Sequence, residues 1–115
     1  MKWKAWLAVF LLSCLAVTLG IWLFNPEVVW YVGLSGALHG ILVVVLVLDF
    51  VRHKHWLNIV LFVALLAKLI WEAMMGPMPG SEATAGGPVL VQAHLYGFLG
   101  GMVMLIYIFT MKSRN

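Results

Sequence analysis

Ser35 stands at the head of an apolar run, in Tyr31–Gly40, YVGLSGALHG. A serine hydroxyl is a weak nucleophile and needs an adjacent base. Two histidines embedded in apolar sequence are candidates for that base. His39 follows Ser35 by four residues, the spacing that places both on one helix face. His94 lies in a different run. A second pair of chemically capable residues, Lys68 and Glu72, is also four apart within an apolar stretch. Ionisable groups in such a setting are functional candidates by default. Two readings of this pair stand side by side: an ion pair turned into a helix bundle for structural reasons, or a Glu72 that borders a site and tunes it. His53 and His55 flank Lys54. A His-x-His spacing can ligate a metal, but no third ligand lies near and the segment is basic, so no metal site is expected. No cofactor is implied.

The elements that must position these residues follow from composition. Of 115 residues, 64% are hydrophobic and 10% charged, against roughly 25% charged in a soluble domain. A soluble globular protein and a disordered chain are both excluded. The single Cys14 excludes an internally disulfide-stapled module. Charges divide the chain into four apolar runs near the roughly 20 residues that a membrane helix needs. Helices are expected over about 5–24, 34–50, 56–75 and 89–111. The runs are too long and continuous for the roughly ten-residue alternating strands of a membrane barrel. The fold class is therefore all-α: a polytopic membrane protein, one domain over 1–115, with four transmembrane helices. An uncleaved first span is expected, because the apolar run continues past Cys14 to Phe24. The alternative is a cleaved or lipidated start at Leu12–Ser13–Cys14.

Lys and Arg placement orients the bundle. Lys2 and Lys4, Arg52 and Lys54, and Lys112 and Arg114 flank alternate helix ends, while the connections 25–27 and 76–88 hold no Lys or Arg. Both termini and the 51–55 segment are expected on the cytoplasmic side. This anchoring accounts for the net charge of +3, and nucleic acid is not an expected partner. Trp3, Trp6, Trp30, Tyr31, Trp56 and Trp71 near run ends fit interfacial anchoring among membrane lipids.

From Ser35 to Phe50 a helix would span roughly 24 Å, short against a hydrocarbon core of about 30 Å. The helix is therefore expected to begin below the outer surface, with 28–33 dipping in as a non-helical loop. At such a helix start, the serine N–H and that of a near neighbour have no intrahelical acceptor and can bind an oxyanion. Ser35 and His94 both follow an outer connection, so they fall at similar depth. Close approach of their helices has a device on each side: Gly36-x-x-x-Gly40 and Gly97-x-x-x-Gly101. His94, Gly97 and Gly101 share one stripe, so the histidine is aimed at the glycine interface.

These residues resemble the rhomboid intramembrane serine proteases. Gly33–Leu34–Ser35–Gly36 matches their GxSG motif, and His94–Leu95–Tyr96–Gly97 with Gly101 matches the HxxGxxxG pattern of their last core helix. More narrowly, YVGLSGALHG with AHLYG looks like rhombosortase, the bacterial subfamily associated with proteins bearing GlyGly-CTERM tails. The resemblance implies a Ser35–His94 dyad, with the backbone N–H groups of Ser35 and Leu34 in the oxyanion hole. It also implies a His39 that orients or stacks on His94. It implies an endopeptidase toward the periplasmic side of a bacterial inner membrane. Its substrates would be membrane-anchored proteins with C-terminal transmembrane tails.

The rhomboid core has six helices, and the four here correspond to its third through sixth. The first pair normally adds a His/Asn motif to the oxyanion hole, and one such donor is worth about 2.7–4 kcal/mol in the transition state. A shortened form or fragment, a second chain that supplies the two helices, and an inactive remnant that binds membrane helices are the readings this leaves. A further alternative is an ion pathway lined by Lys68, Glu72, His39 and His94.

Overall fold

A computed structural model describes residues 1–27, 34–76 and 90–114. Among them are four helices: α1 (Trp3–Phe24), α2 (Ser35–His53), α3 (Trp56–Met75) and α4 (Gln92–Arg114). All four are long and apolar enough to cross a membrane. The predicted all-α, four-span architecture is what the chain adopts. α1 runs unbroken through Cys14.

Two boundaries differ from expectation. α2 extends past Phe50 to His53, because Arg52 and His53 sit at a helix C-terminus, where cations complement the dipole. Lys54 then ends the helix in a left-handed conformation, φ 57°, with its N–H on the Phe50 carbonyl. At 19 residues α2 spans roughly 28 Å, so its length no longer argues for a submerged start. The loop expected to dip, 28–33, lies outside the described residues. α4 begins at Gln92 rather than 89 and runs to Arg114.

α4 packs chiefly on α2 and α1, and α3 leans mainly on α2. Helix association in lipid is driven by packing rather than by a hydrophobic effect between helices, and glycines set the distances here. A Cβ on Gly97 or Gly101 would collide with the carbonyl oxygens of Gly36 and Gly40, and one on Gly36 would lie 2.7 Å from the Ala93 oxygen. The two GxxxG stripes therefore face each other backbone to backbone. α1 joins the same seam. A Cβ on Gly100 would meet the Ala16 Cβ at 2.8 Å, and Gly20 gives room to the Tyr96 ring. Ser13 of α1 is fully buried beside Gly40. Below this seam Val9, Val43, Val44, Leu65, Phe98 and Leu105 fill the interior.

Contacts fix which helix ends lie together. Ser35 touches His94, and Tyr96 donates a hydrogen bond to Asn25, so the end of α1 and the starts of α2 and α4 share one end. At the other, Asn58 of α3 donates to Asp49 of α2 at 2.7 Å. Lys2, Lys4, Arg52, Lys54, Lys112 and Arg114 flank the ends opposite to Ser35. His53 pairs with Asp49 at 2.8 Å, and the His55 ring accepts the Leu57 N–H as the cap of α3. Both histidines of the His-x-His segment thus have structural partners. Trp3, Trp56 and Trp71 are exposed, whereas Trp6 is half-buried against the core. Trp30 and Tyr31 lie outside the described residues.

Candidate active site

Ser35 is the first residue of α2, following Leu34. The first N–H groups of a helix, those of Leu34, Ser35 and Gly36 among them, have no intrahelical acceptor. Gly33, the first residue of the expected motif, lies outside the described residues.

His94 lies in the first turn of α4 and is buried. Its Nε2 is 2.9 Å from Ser35 Oγ, within the reach a general base needs. Gly36 and Gly97 permit this, because their missing side chains let the α2 and α4 backbones meet one turn below the pair. Gly40 and Gly101 repeat the device one turn deeper.

His39 stacks on His94, with ring centroids 4.2 Å apart and planes 11° from parallel. Its Nδ1–H donates to the Ser35 carbonyl at 2.5 Å. This leaves Nε2 as an acceptor, and Lys68 Nζ donates to it at 3.0 Å. Lys68 also donates to Glu72 Oε1 at 2.6 Å. The expected i, i+4 ion pair is therefore present, but it does more than pair. Both Glu72 oxygens lie against His94 Nδ1, at 2.8 and 3.0 Å. A proton on Nδ1 satisfies that contact and leaves Nε2 free to accept from Ser35. One set of tautomers thus satisfies all of these bonds.

The resemblance implied a Ser35–His94 dyad. The structure places a carboxylate on the far side of the histidine, and it comes from Glu72 rather than from an aspartate. The sequence reading put Glu72 at most at the edge of a site. Its phase on α3, together with Lys68, was the signal available. Ser13, Gly20 and Gly100 are further packing residues that the motifs did not single out, though Ser13, Ala16, Val17 and Gly20 form a small-residue stripe on α1.

His39, Glu72 and His94 each offer a ligand atom within 4.8 Å of one another, a spacing that a metal ion could use. The Lys68 ammonium lies 3.0 Å from His39, 2.6 Å from Glu72 and 3.4 Å from His94. A cation thus already sits among the three groups. The same convergence bears on the ion-pathway alternative, since these groups cluster at one end of the bundle instead of lining its length.

A part-buried Ser–His contact at the start of a helix, at one end of the bundle, holds a hydroxyl and a base close enough for acyl-transfer chemistry. Comparison with known proteins bears on the same point. The family model described as Rhomboid domain matches residues 1–111. No curated protein and no solved structure matches the chain. The family match spans nearly the whole chain, and both Ser35 and His94 fall within it: the chain belongs to the rhomboid family, whose members are intramembrane serine proteases.

Proposed function

We propose that this chain is an intramembrane serine endopeptidase of the rhombosortase type. In this reading Ser35 is the nucleophile and His94 the general base and acid. The observation that supports it is the 2.9 Å contact between Ser35 Oγ and His94 Nε2 across the α2–α4 seam. In the first half-reaction the Ser35 Oγ–carbonyl carbon bond forms and the hydroxyl proton passes to His94 Nε2. The Ser35 and Leu34 amides bind the oxyanion. The C–N bond then breaks and His94 returns the proton to the leaving amine. Water repeats the sequence on the acyl-enzyme: His94 takes its proton, the hydroxyl adds to the carbonyl, and Ser35 leaves with that proton. No external oxidant or cofactor is required.

The substrate assignment rests on the resemblance of YVGLSGALHG and AHLYG to rhombosortase. It names C-terminal GlyGly-CTERM tails of exported proteins, cut at the periplasmic face of a bacterial inner membrane. The test is cleavage of a GlyGly-tailed membrane reporter co-expressed with the chain. Cleavage is expected with the wild type and lost in Ser35→Ala and His94→Ala. Full cleavage by either variant overturns the assignment. Co-purification of an uncut reporter with the wild type would instead favour a helix-binding protein that does not cut.

A further inference from the structure

We infer that Glu72, held by Lys68, is a positioning residue for His94, so that the site works as a Ser35–His94–Glu72 triad. The inference rests on the protease reading and adds an orienting acid to it.

The geometry separates this role from that of a structural ion pair. Lys68 and Glu72 sit on one helix at i, i+4 and could pair on any face of α3. Instead they point at the two histidines. Glu72 is almost fully buried, at 2% side-chain exposure, while Lys68 retains 34%. A buried carboxylate is tolerated when it is paired and hydrogen-bonded, and here both partners belong to the site. The carboxylate spans His94 Nδ1 with both oxygens. Lys68 bonds one of those oxygens and, with a second proton, the His39 ring that stacks on His94. The base is therefore held from its Nδ1 edge by Glu72 and on one face by His39, and Lys68 ties the two supports together.

The consequence is chemical. A neutral imidazole exists as two tautomers, and only the one protonated at Nδ1 can accept the Ser35 proton at Nε2. A carboxylate on Nδ1 selects that tautomer. It also stabilises the imidazolium formed when the proton moves, without itself taking the proton. Because Glu72 comes from α3 and the dyad from α2 and α4, the base is set only when α3 leans against the other two helices.

The test uses the full chain in detergent micelles and reads two quantities. The first is the rate at which a fluorophosphonate modifies Ser35, followed by intact mass. Glu72→Gln is expected to lower it by up to about 10⁴-fold, the order lost when a triad's orienting carboxylate is neutralised, and Glu72→Asp to restore part of the loss. Thermal unfolding, followed by tryptophan fluorescence, checks the fold. The paired variant Lys68→Met/Glu72→Leu removes both charges together, so no unpaired charge is left buried, and is expected to label as slowly as Glu72→Gln. The second quantity is the His94 tautomer, read by nitrogen-15 NMR of histidine-labelled protein. Nδ1 is expected protonated and Nε2 bare in the wild type, with the two tautomers mixed in the paired variant. Folded Glu72 variants that label at the wild-type rate overturn the inference, as does a wild-type His94 protonated at Nε2. A wild type that resists labelling while His94 holds the expected tautomer overturns the protease reading alone, because the tautomer needs no turnover.

Discussion

At the scale of single residues, the pair Ser35–His94 was legible in the sequence and its third neighbour was not. Two glycine stripes, one beside each residue, are a local signal that their helices can close to backbone contact, and the coordinates show that contact. Glu72 carried only the signal of an i, i+4 partner. Periodicity gives the phase of a residue on its own helix, but which neighbour that face meets depends on how α3 leans, a three-dimensional fact that no spacing encodes. His39 was legible as lying on the Ser35 face, and its stacking on His94 followed only from the family resemblance. An aromatic stack contributes about 0.5–1.5 kcal/mol beyond area burial. His39→Ala is therefore expected to slow fluorophosphonate labelling of Ser35 by about 2- to 10-fold, with His39→Tyr closer to the wild type. Comparing the two rates checks this, and equal rates in His39→Ala and wild type would refute a supporting role for the stack.

At the scale of elements, the seam between α2 and α4 governs the site. A Cβ on Gly97 would enter the space of the Gly36 carbonyl oxygen, and backbone cannot move aside as a side-chain tip can. Overpacking costs typically about 1–3 kcal/mol, and here relief comes only by parting the two helices that carry Ser35 and His94. Gly97→Ala is expected to lower thermal stability by that order and to abolish labelling of Ser35. Gly76→Ala is the contrast. There the space is open and only the backbone, at φ 87°, resists a side chain, so stability falls while labelling persists. Thermal unfolding and intact mass on the two variants separate these effects. The third face of the seam, on α1, is not legible from length and hydropathy alone. Its stripe of Ser13, Ala16, Val17 and Gly20 was present but had no chemical residue beside it to draw notice. The end of α2 lies three residues past the expected one, because Arg52 and Lys54 mark the end of the apolar run while a helix C-terminus accommodates cations.

At the scale of the whole molecule, composition decided the class. With so few charges the chain can place them only at helix ends or in pairs. The basic residues at 2, 4, 52, 54, 112 and 114 do the first, and Lys68 with Glu72 does the second. All of those basic ends lie opposite to Ser35. The orientation that this distribution predicts is testable by thiol accessibility in a Cys14→Ser background. Glu27→Cys is expected to react with an impermeant maleimide added outside intact cells, and Lys112→Cys only after permeabilisation. The reverse pattern would refute the assigned sidedness. Four spans and the arrangement of their ends were thus readable from hydropathy and charge, while the lean of α3 that completes the site was not.

Intact-protein mass spectrometry after fluorophosphonate treatment in proteoliposomes tests whether Ser35 is a nucleophile activated by His94. A single adduct on Ser35 is expected in the wild type, none in Ser35→Ala, and a rate lower by about 10²–10⁴-fold in His94→Ala. A folded wild type that takes up no adduct at Ser35, or a His94→Ala variant that labels as fast as the wild type, would contradict it.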